Sequence, residues 1–245
     1  MKPALLCAIA AALLGGVAIR HAQAHTWADV EQTCPLCNTK FKARVDMSGT
    51  QFGMRLDLKP LGPIAAPWSV PVCPKCHFVL FDDEIAEDVL QRCRKIVAAE
   101  QYKAQAKRAS YHLLGLLYEG LQKEPLALAH TFLKASWQEE SDAEQLKDDL
   151  QRSLKHFEAY LERAKQHDDA WQTAQVVKAE LFRRLGRFDE AKKHVDALLE
   201  MKEFRGTFLE DLLRYQLKLI SKKDTAPHAA SEMNTASQHG SSALN

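Results

Sequence analysis

Between residues 83 and 221 apolar side chains recur every three or four positions almost without interruption, the period of one helix face. Ile85, Val89, Cys93 and Ile96 mark the first such face, with Asp82 or Asp83 predicted as its N-cap. A second helix is predicted over 106–121. Pro125 suits the first turn of a third, which carries Leu128, Phe132 and Ala135 inward. Ser141 and Glu144 have capping-box spacing and open a long helix whose Leu146, Leu150, Leu154, Phe157 and Leu161 share a face. Another spans 169–185 and ends at Gly186, a residue suited to the left-handed conformation past a helix C-terminus. Phe188, Ala191, Val195 and Leu198 line the next, and Phe208, Leu212, Tyr215 and Leu219 the last.

Residues 25–82 have a different texture. They hold six of the nine prolines and little helical period. Strand-compatible runs fall instead at 41–45, 51–58, 68–72 and 77–81. Large apolar residues are sparse there, so a segment of this size needs a metal or disulfides to stay folded. Residues 222–245 are rich in Ser, Ala, Thr, Asn and His and are expected to be a disordered tail.

The start of the chain reads as a targeting segment. Lys2 precedes an uncharged apolar run from Ala4 to Val17, and Ala22-Gln23-Ala24 has the small-x-small form that signal peptidase cuts. Residues 1–24 are therefore expected to be a signal peptide, with an uncleaved anchor as the alternative. The protein is expected to be exported, periplasmic or secreted, with no stable membrane span after cleavage. Composition changes little: 46% hydrophobic and 27% charged is ordinary for a globular protein. The formal charge is +1, and without Lys2 and Arg20 the chain carries 31 basic against 32 acidic residues. A balance so close to neutral offers no electrostatic footprint for nucleic acid.

The candidate chemistry lies in the cysteines. Cys34/Cys37 and Cys73/Cys76 form two CPxC pairs, each placing two sulfurs at the tip of a tight turn. Two such turns brought together supply the four thiolates that Zn²⁺ takes tetrahedrally. Proline after each first cysteine fixes φ. Asn38 and His77 follow the second cysteines and are among the better non-glycine residues for the left-handed region. The predicted ligands are Cys34, Cys37, Cys73 and Cys76, around a structural Zn²⁺ whose shell is closed to a catalytic water. The 35 residues between the pairs exceed the usual interval of roughly 15–20, so an inserted loop with Gly62, Pro63 and Pro67 must absorb the excess. Export leaves disulfides as an alternative. A single CPxC pair is also the form of a thioredoxin-like redox motif, although no helix is predicted to start directly after Cys76. Cys93 lies on an apolar stripe and reads as a buried, inert thiol.

Tyr111-x2-Leu114-Gly115-x2-Tyr118 fits the opening of a tetratricopeptide repeat, and Leu185-Gly186-Arg187-Phe188-Asp189-Glu190-Ala191 fits the turn between paired helices. An ordinary helix hairpin uses the same packing. The helix near 141–167 is too long for a regular array, so the repeats are degenerate. CPLCNTKFKARV from Cys34 to Val45, the loop containing Arg55 and Asp57, VCPKCHFVLF from Val72 to Phe81 and AELFRRLGRFDEAKK from Ala179 to Lys193 together resemble the bacterial DUF2225 family. The resemblance implies a cysteine-rich, zinc-ribbon-like segment joined to TPR-like helices and carries no activity with it.

The fold class expected is therefore mainly α: a zinc-ribbon-like β module at 25–82, then a TPR-like helical domain at 83–221. The function expected is that of a non-enzymatic zinc-binding scaffold with a protein partner. Repeat helices stack into a groove, and His112, Leu116, Glu119, Val176, Glu180 and Arg183 are its candidate lining, with a merely solvated face as the alternative. No catalytic residues are assigned: there is no nucleophile elbow, HExxH or phosphate-binding glycine loop. The competing function is a thiol–disulfide oxidoreductase using a CPxC pair.

Overall fold

The computed structural model describes residues 25–165 and 167–233, so the expected signal peptide lies outside the described residues. The chain is mainly α. Strands β1 (Thr26–Thr33) and β2 (Lys40–Ser48) pair antiparallel, and β3 (Gly53–Met54) pairs with β4 (Pro60–Leu61). Helices α1 (Glu87–Ala98), α2 (Glu100–Lys103), α3 (Ser110–Gly120), α4 (Pro125–Gln138), α5 (Ala143–Arg163), α6 (Asp169–Arg184), α7 (Phe188–Leu199) and α8 (Phe208–Ser221) follow. From α3 onward each helix packs on the next. Of the predicted strands, 41–45 lies within β2. The 51–58 run shrinks to β3, while 68–72 and 77–81 contribute only the isolated bridge Val72–Val79.

The helix starts show which local rules prevailed. Pro125 opens α4 as expected. Asp82 and Asp83 do not cap α1, which begins at Glu87 after Ala86 without a side-chain cap; the Asp82 carboxylate accepts the Glu84 N–H instead. At α5 the cap is Asp142 rather than Ser141, its carboxylate accepting from the Glu144 and Gln145 N–H groups at 3.1 Å. A carboxylate next to the helix N-terminus gains from the helix dipole as well as from the hydrogen bonds. Gly186 follows α6 with φ +72°, the left-handed conformation predicted for it.

Two apolar clusters form the interior. One gathers the cysteine-bearing turns, Phe78, Val79, Cys93, Tyr102 and the inner face of α3. The other runs through α4 to α8 and reaches Leu56 of the N-terminal segment. Gly115 lets α4 approach α3, since a Cβ there would sit 2.5 Å from Cε1 of Phe132. Phe132 is fully buried and cannot retreat without disturbing its neighbours. Gly115→Val is expected to destabilise by about 3 kcal/mol through overpacking, measured by urea titration.

The six candidate groove residues divide. His112, Val176, Glu180 and Arg183 are buried, so they line no groove, whereas Leu116 and Glu119 stay half-exposed. For the three on α6 the reason is cover: α6 packs against α5, α7 and α8, and Arg183 is further capped by the segment after α8; His112, on α3, is buried against Asp149 of α5. The segment after α8 corrects the expected tail. Residues 222–233 are folded, with the Leu56 N–H donating to the His228 carbonyl, the Ala230 N–H to the Met54 carbonyl, and Met233 buried. Arg183 donates to the carbonyls of Asp224 (2.5 Å) and Ala226 (2.8 Å). This stretch is held by backbone pairing, by the Arg183 guanidinium and by the buried Met233 side chain, so composition understated its order. Residues 234–245 lie outside the described residues.

Candidate metal centre

The two CPxC turns are built alike. In the first, the Asn38 N–H donates to the Cys34 carbonyl (2.9 Å) and the Cys34 N–H to the Thr39 carbonyl (3.0 Å). In the second, the His77 N–H donates to the Cys73 carbonyl (2.9 Å) and the Cys73 N–H to the Phe78 carbonyl (2.9 Å). Asn38 and His77 have φ of +57° and +59°, the left-handed conformation that the sequence required of them. Each turn therefore folds its two sulfurs to one side, and the turns face each other. Cys34 Sγ lies 3.5 Å from Cys76 Sγ, and Cys37 Sγ lies 3.5 Å from Cys73 Sγ. The four sulfurs all lie within 4.8 Å of one another.

Those separations suit a single ion bonded to every sulfur, because thiolates about 2.3 Å from a tetrahedral centre stand a little under 4 Å apart. Four like-charged thiolates this close repel strongly unless a cation sits among them. All five described cysteines are free of disulfides. The donor set thus fits a divalent, thiophilic metal held by Cys34, Cys37, Cys73 and Cys76.

The surroundings are asymmetric. Cys34 and Cys73 are fully buried, while Cys37 and Cys76 are half-exposed. A hydrogen bond between Cys37 Sγ and the Thr39 hydroxyl (3.2 Å) lowers the Cys37 thiol to about 6, whereas burial pushes Cys34 and Cys76 up. Lys75 and Lys103 border the opening beside Cys76. Arg44, in β2, lies over the Trp27 ring and 3.8 Å from Asp29.

Two contacts that sequence reasoning missed tie the turns to the helices. The Tyr102 hydroxyl, from α2, donates to the His77 carbonyl at 2.8 Å. Cys93 packs from α1 into the same apolar cluster as Cys34, Cys73 and Phe78, and burial raises its thiol, in keeping with the inert role expected. Thr39 had a local signal, a hydroxyl two residues beyond a cysteine; Tyr102 had none.

The insertion between the pairs has its own anchor. Asp57 accepts from Arg55 in the same loop and from Arg184 at the end of α6 (3.2 Å), and all three side chains are buried or nearly so. Arg55 and Lys59 also reach Glu140 beyond α4, at 2.5 and 2.8 Å. The Arg55/Asp57 loop and the RRLG segment, far apart in sequence, are therefore one ionic joint.

Among the described residues a second set of possible ligands, His112, Glu139 and Asp149, also falls within 4.8 Å. Its cation position is already taken. Arg108 donates to both Glu139 oxygens (2.6–3.0 Å) and to Asp149 (3.3 Å), while Asp149 pairs with His112 Nδ1 at 2.7 Å. Burial raises the Asp149 carboxyl and lowers the His112 imidazole to about 4, which keeps both neutral. Arg108 therefore supplies the positive charge in this cluster, which joins α3 to α5 and to the end of α4.

No curated protein and no solved structure matches the chain. The model of a family described as uncharacterized proteins conserved in bacteria (DUF2225) matches residues 28–220, a span containing both cysteine turns, the Arg55/Asp57 loop and the RRLG helix end, and the chain belongs to that family.

Proposed function

We propose that this protein is an exported, non-enzymatic scaffold in which a structural Zn²⁺ holds the N-terminal module against a TPR-like helical array that binds another protein. The observation that carries the reading is the set of four cysteine sulfurs within 4.8 Å of one another. Four sulfur ligands complete the shell of Zn²⁺ and leave no position for an activated water, so a metal held this way supports folding rather than hydrolysis. Zinc is favoured over harder cations because every donor is a soft thiolate. The Tyr111–Tyr118 and Leu185–Ala191 motifs support the repeat reading, since both fall at helix pairs that pack directly on one another.

The competing reading, a thiol–disulfide oxidoreductase, needs an accessible nucleophile at the start of a helix. Cys73 is fully buried, and the stretch after Cys76 runs without a helix until α1. One experiment separates them. Protein purified from the exporting compartment is expected to contain one zinc per chain, with thiols that resist alkylation until a chelator is added. Absence of zinc together with pairwise-oxidised cysteines overturns the reading. Export is tested separately: the N-terminus of the mature protein is expected at His25, and recovery of the intact amino terminus in the cytoplasm contradicts it.

A further inference from the structure

Among the described residues six large apolar side chains stand exposed, and five of them, Trp27, Met47, Phe52, Met54 and Trp68, belong to the N-terminal module. Trp27 and Met47 stand at the open end of the β1–β2 hairpin, away from the cysteine turn that closes it. Asp46 draws Trp68 to the same end. Its carboxylate, almost wholly removed from water, accepts from the Ser69 N–H at 2.6 Å and pairs with His25 at 2.7 Å. Phe52 joins through the loop, where the Thr50 N–H donates to the Pro63 carbonyl (3.0 Å) and the Phe52 N–H to the Leu61 carbonyl (2.9 Å). The two stretches paired in this way, 47–54 and 60–72, contain no ionisable side chain.

We infer that this end of the module rests on the surface of a lipid bilayer, with Trp27, Met47, Phe52 and Trp68 at the headgroup boundary. Exposed apolar surface of this kind marks a contact with a protein or a membrane, and three observations select the membrane. A protein partner is ordinarily met through a polar, charged rim, whereas a bilayer penalises every charge brought into it; both stretches lack charge, and the neighbouring Asp46 is withdrawn. Backbone donors are costly there too, and Pro60, Pro63, Pro67 and Pro71 remove four of them while the loop pairing uses others. The apolar run from Ala4 to Val17, expected to enter a membrane during export, ends eight residues before β1, at most about 28 Å of extended chain. Tryptophan, with an apolar ring and a polar N–H, is the side chain best suited to that boundary. The long insertion between the cysteine pairs thereby gains two faces. Its 55–59 tip is anchored on the helices by Asp57, and its uncharged flanks face the lipid. The inference does not depend on the scaffold reading above.

The test uses the zinc-loaded chain starting at His25, the first described residue, so that the apolar run cannot carry the binding. It is expected to sediment with vesicles of phosphatidylcholine and, within about twofold, with vesicles containing phosphatidylglycerol, because uncharged groups make the contact. The double variant Trp27→Ser with Trp68→Ser is expected to bind about tenfold more weakly, a difference of about 1.4 kcal/mol, and to keep its zinc, since both positions are exposed. Phe208→Ser, which removes the sixth exposed side chain, on α8, is the control and is expected to bind as the wild type does. Vesicles with brominated acyl chains are expected to quench Trp27 and Trp68, because Trp137 and Trp171 are buried. No vesicle binding, undiminished binding by the double variant, an equal loss in Phe208→Ser, or binding confined to anionic vesicles overturns the inference. A dimer seen by light scattering without vesicle binding, and abolished in the double variant, assigns the surface to a second copy and also overturns it. Zinc stoichiometry is untouched by these outcomes, so the scaffold reading stands or falls separately.

Discussion

Cys73→Ser is expected to lose stoichiometric zinc and to strip amide-exchange protection from residues 34–80, while α4 to α8 stay protected. The asymmetry follows from the two cores. The cluster around Cys34, Cys73 and Phe78 includes few large apolar side chains from the N-terminal module itself, whereas α4 to α8 share a separate interior. A module with so little apolar area depends on the metal, and structural zinc contributes an apparent 10–16 kcal/mol, about the whole stability of a small domain. Replacing a buried sulfur ligand also leaves three thiolates crowded around a weakened site. Cys93→Ser is the control, since Cys93 is equally buried in the same cluster but is no ligand. Its loss is expected to cost about 1–3 kcal/mol for burying a hydroxyl and to leave zinc binding intact. Equal loss of metal in both variants would sink the assignment of ligands. Metal content and hydrogen exchange measure the two effects independently.

Asp57→Ala is expected to be the most damaging change outside the cysteines, destabilising by about 3–5 kcal/mol. Asp57 stands between Arg55 and Arg184, and its carboxylate is almost wholly removed from water. Removing it leaves two buried guanidinium groups facing each other without the charge between them. Arg55 keeps Glu140, but Arg184 has no other ion-pair partner among the described residues. A thermodynamic cycle with Arg184→Ala checks the origin of the effect. Strong coupling is expected, with the double variant less unstable than the sum of the single ones. Strict additivity would mean that the loop is held by other contacts. Because Asp57 belongs to the insertion and Arg184 to α6, this joint orients the N-terminal segment on the helices.

The legibility of these features in the sequence differed with their range. Both cysteine turns could be read because every constraint is local: the proline after the first cysteine, the spacing, and a residue tolerant of positive φ after the second. The helices were equally open to reading, since their period and Pro125 or Gly186 act within a few residues. Helix starts at 82–87 and 141–143 were misplaced by small shifts, because several neighbouring polar residues can cap and packing chooses among them. The expected strands at 68–72 and 77–81 shrink to one bridge, Val72–Val79, beside which the Leu80 N–H donates to the Pro71 carbonyl.

The groove residues show the limit most clearly. Glu180 and Arg183 look like surface charges on a helix, and their sequence neighbours say nothing of the segment at 224–226 whose carbonyls Arg183 holds. Two charged side chains can be buried there because they pair with each other at 2.6–2.8 Å and the guanidinium's remaining donors find carbonyls. Such compensation is invisible to a pattern based on hydrophobicity. By itself, the sequence determined the helices, the two cysteine turns and their chemistry, since backbone preference and side-chain period are properties of a few consecutive residues. Only the tertiary structure decided that Asp57 meets Arg184 and that the segment after α8 pairs with the Met54–Leu56 stretch. Those depend on which surfaces meet across more than a hundred residues of chain, where the free energy comes from burial and charge pairing that no local segment contains.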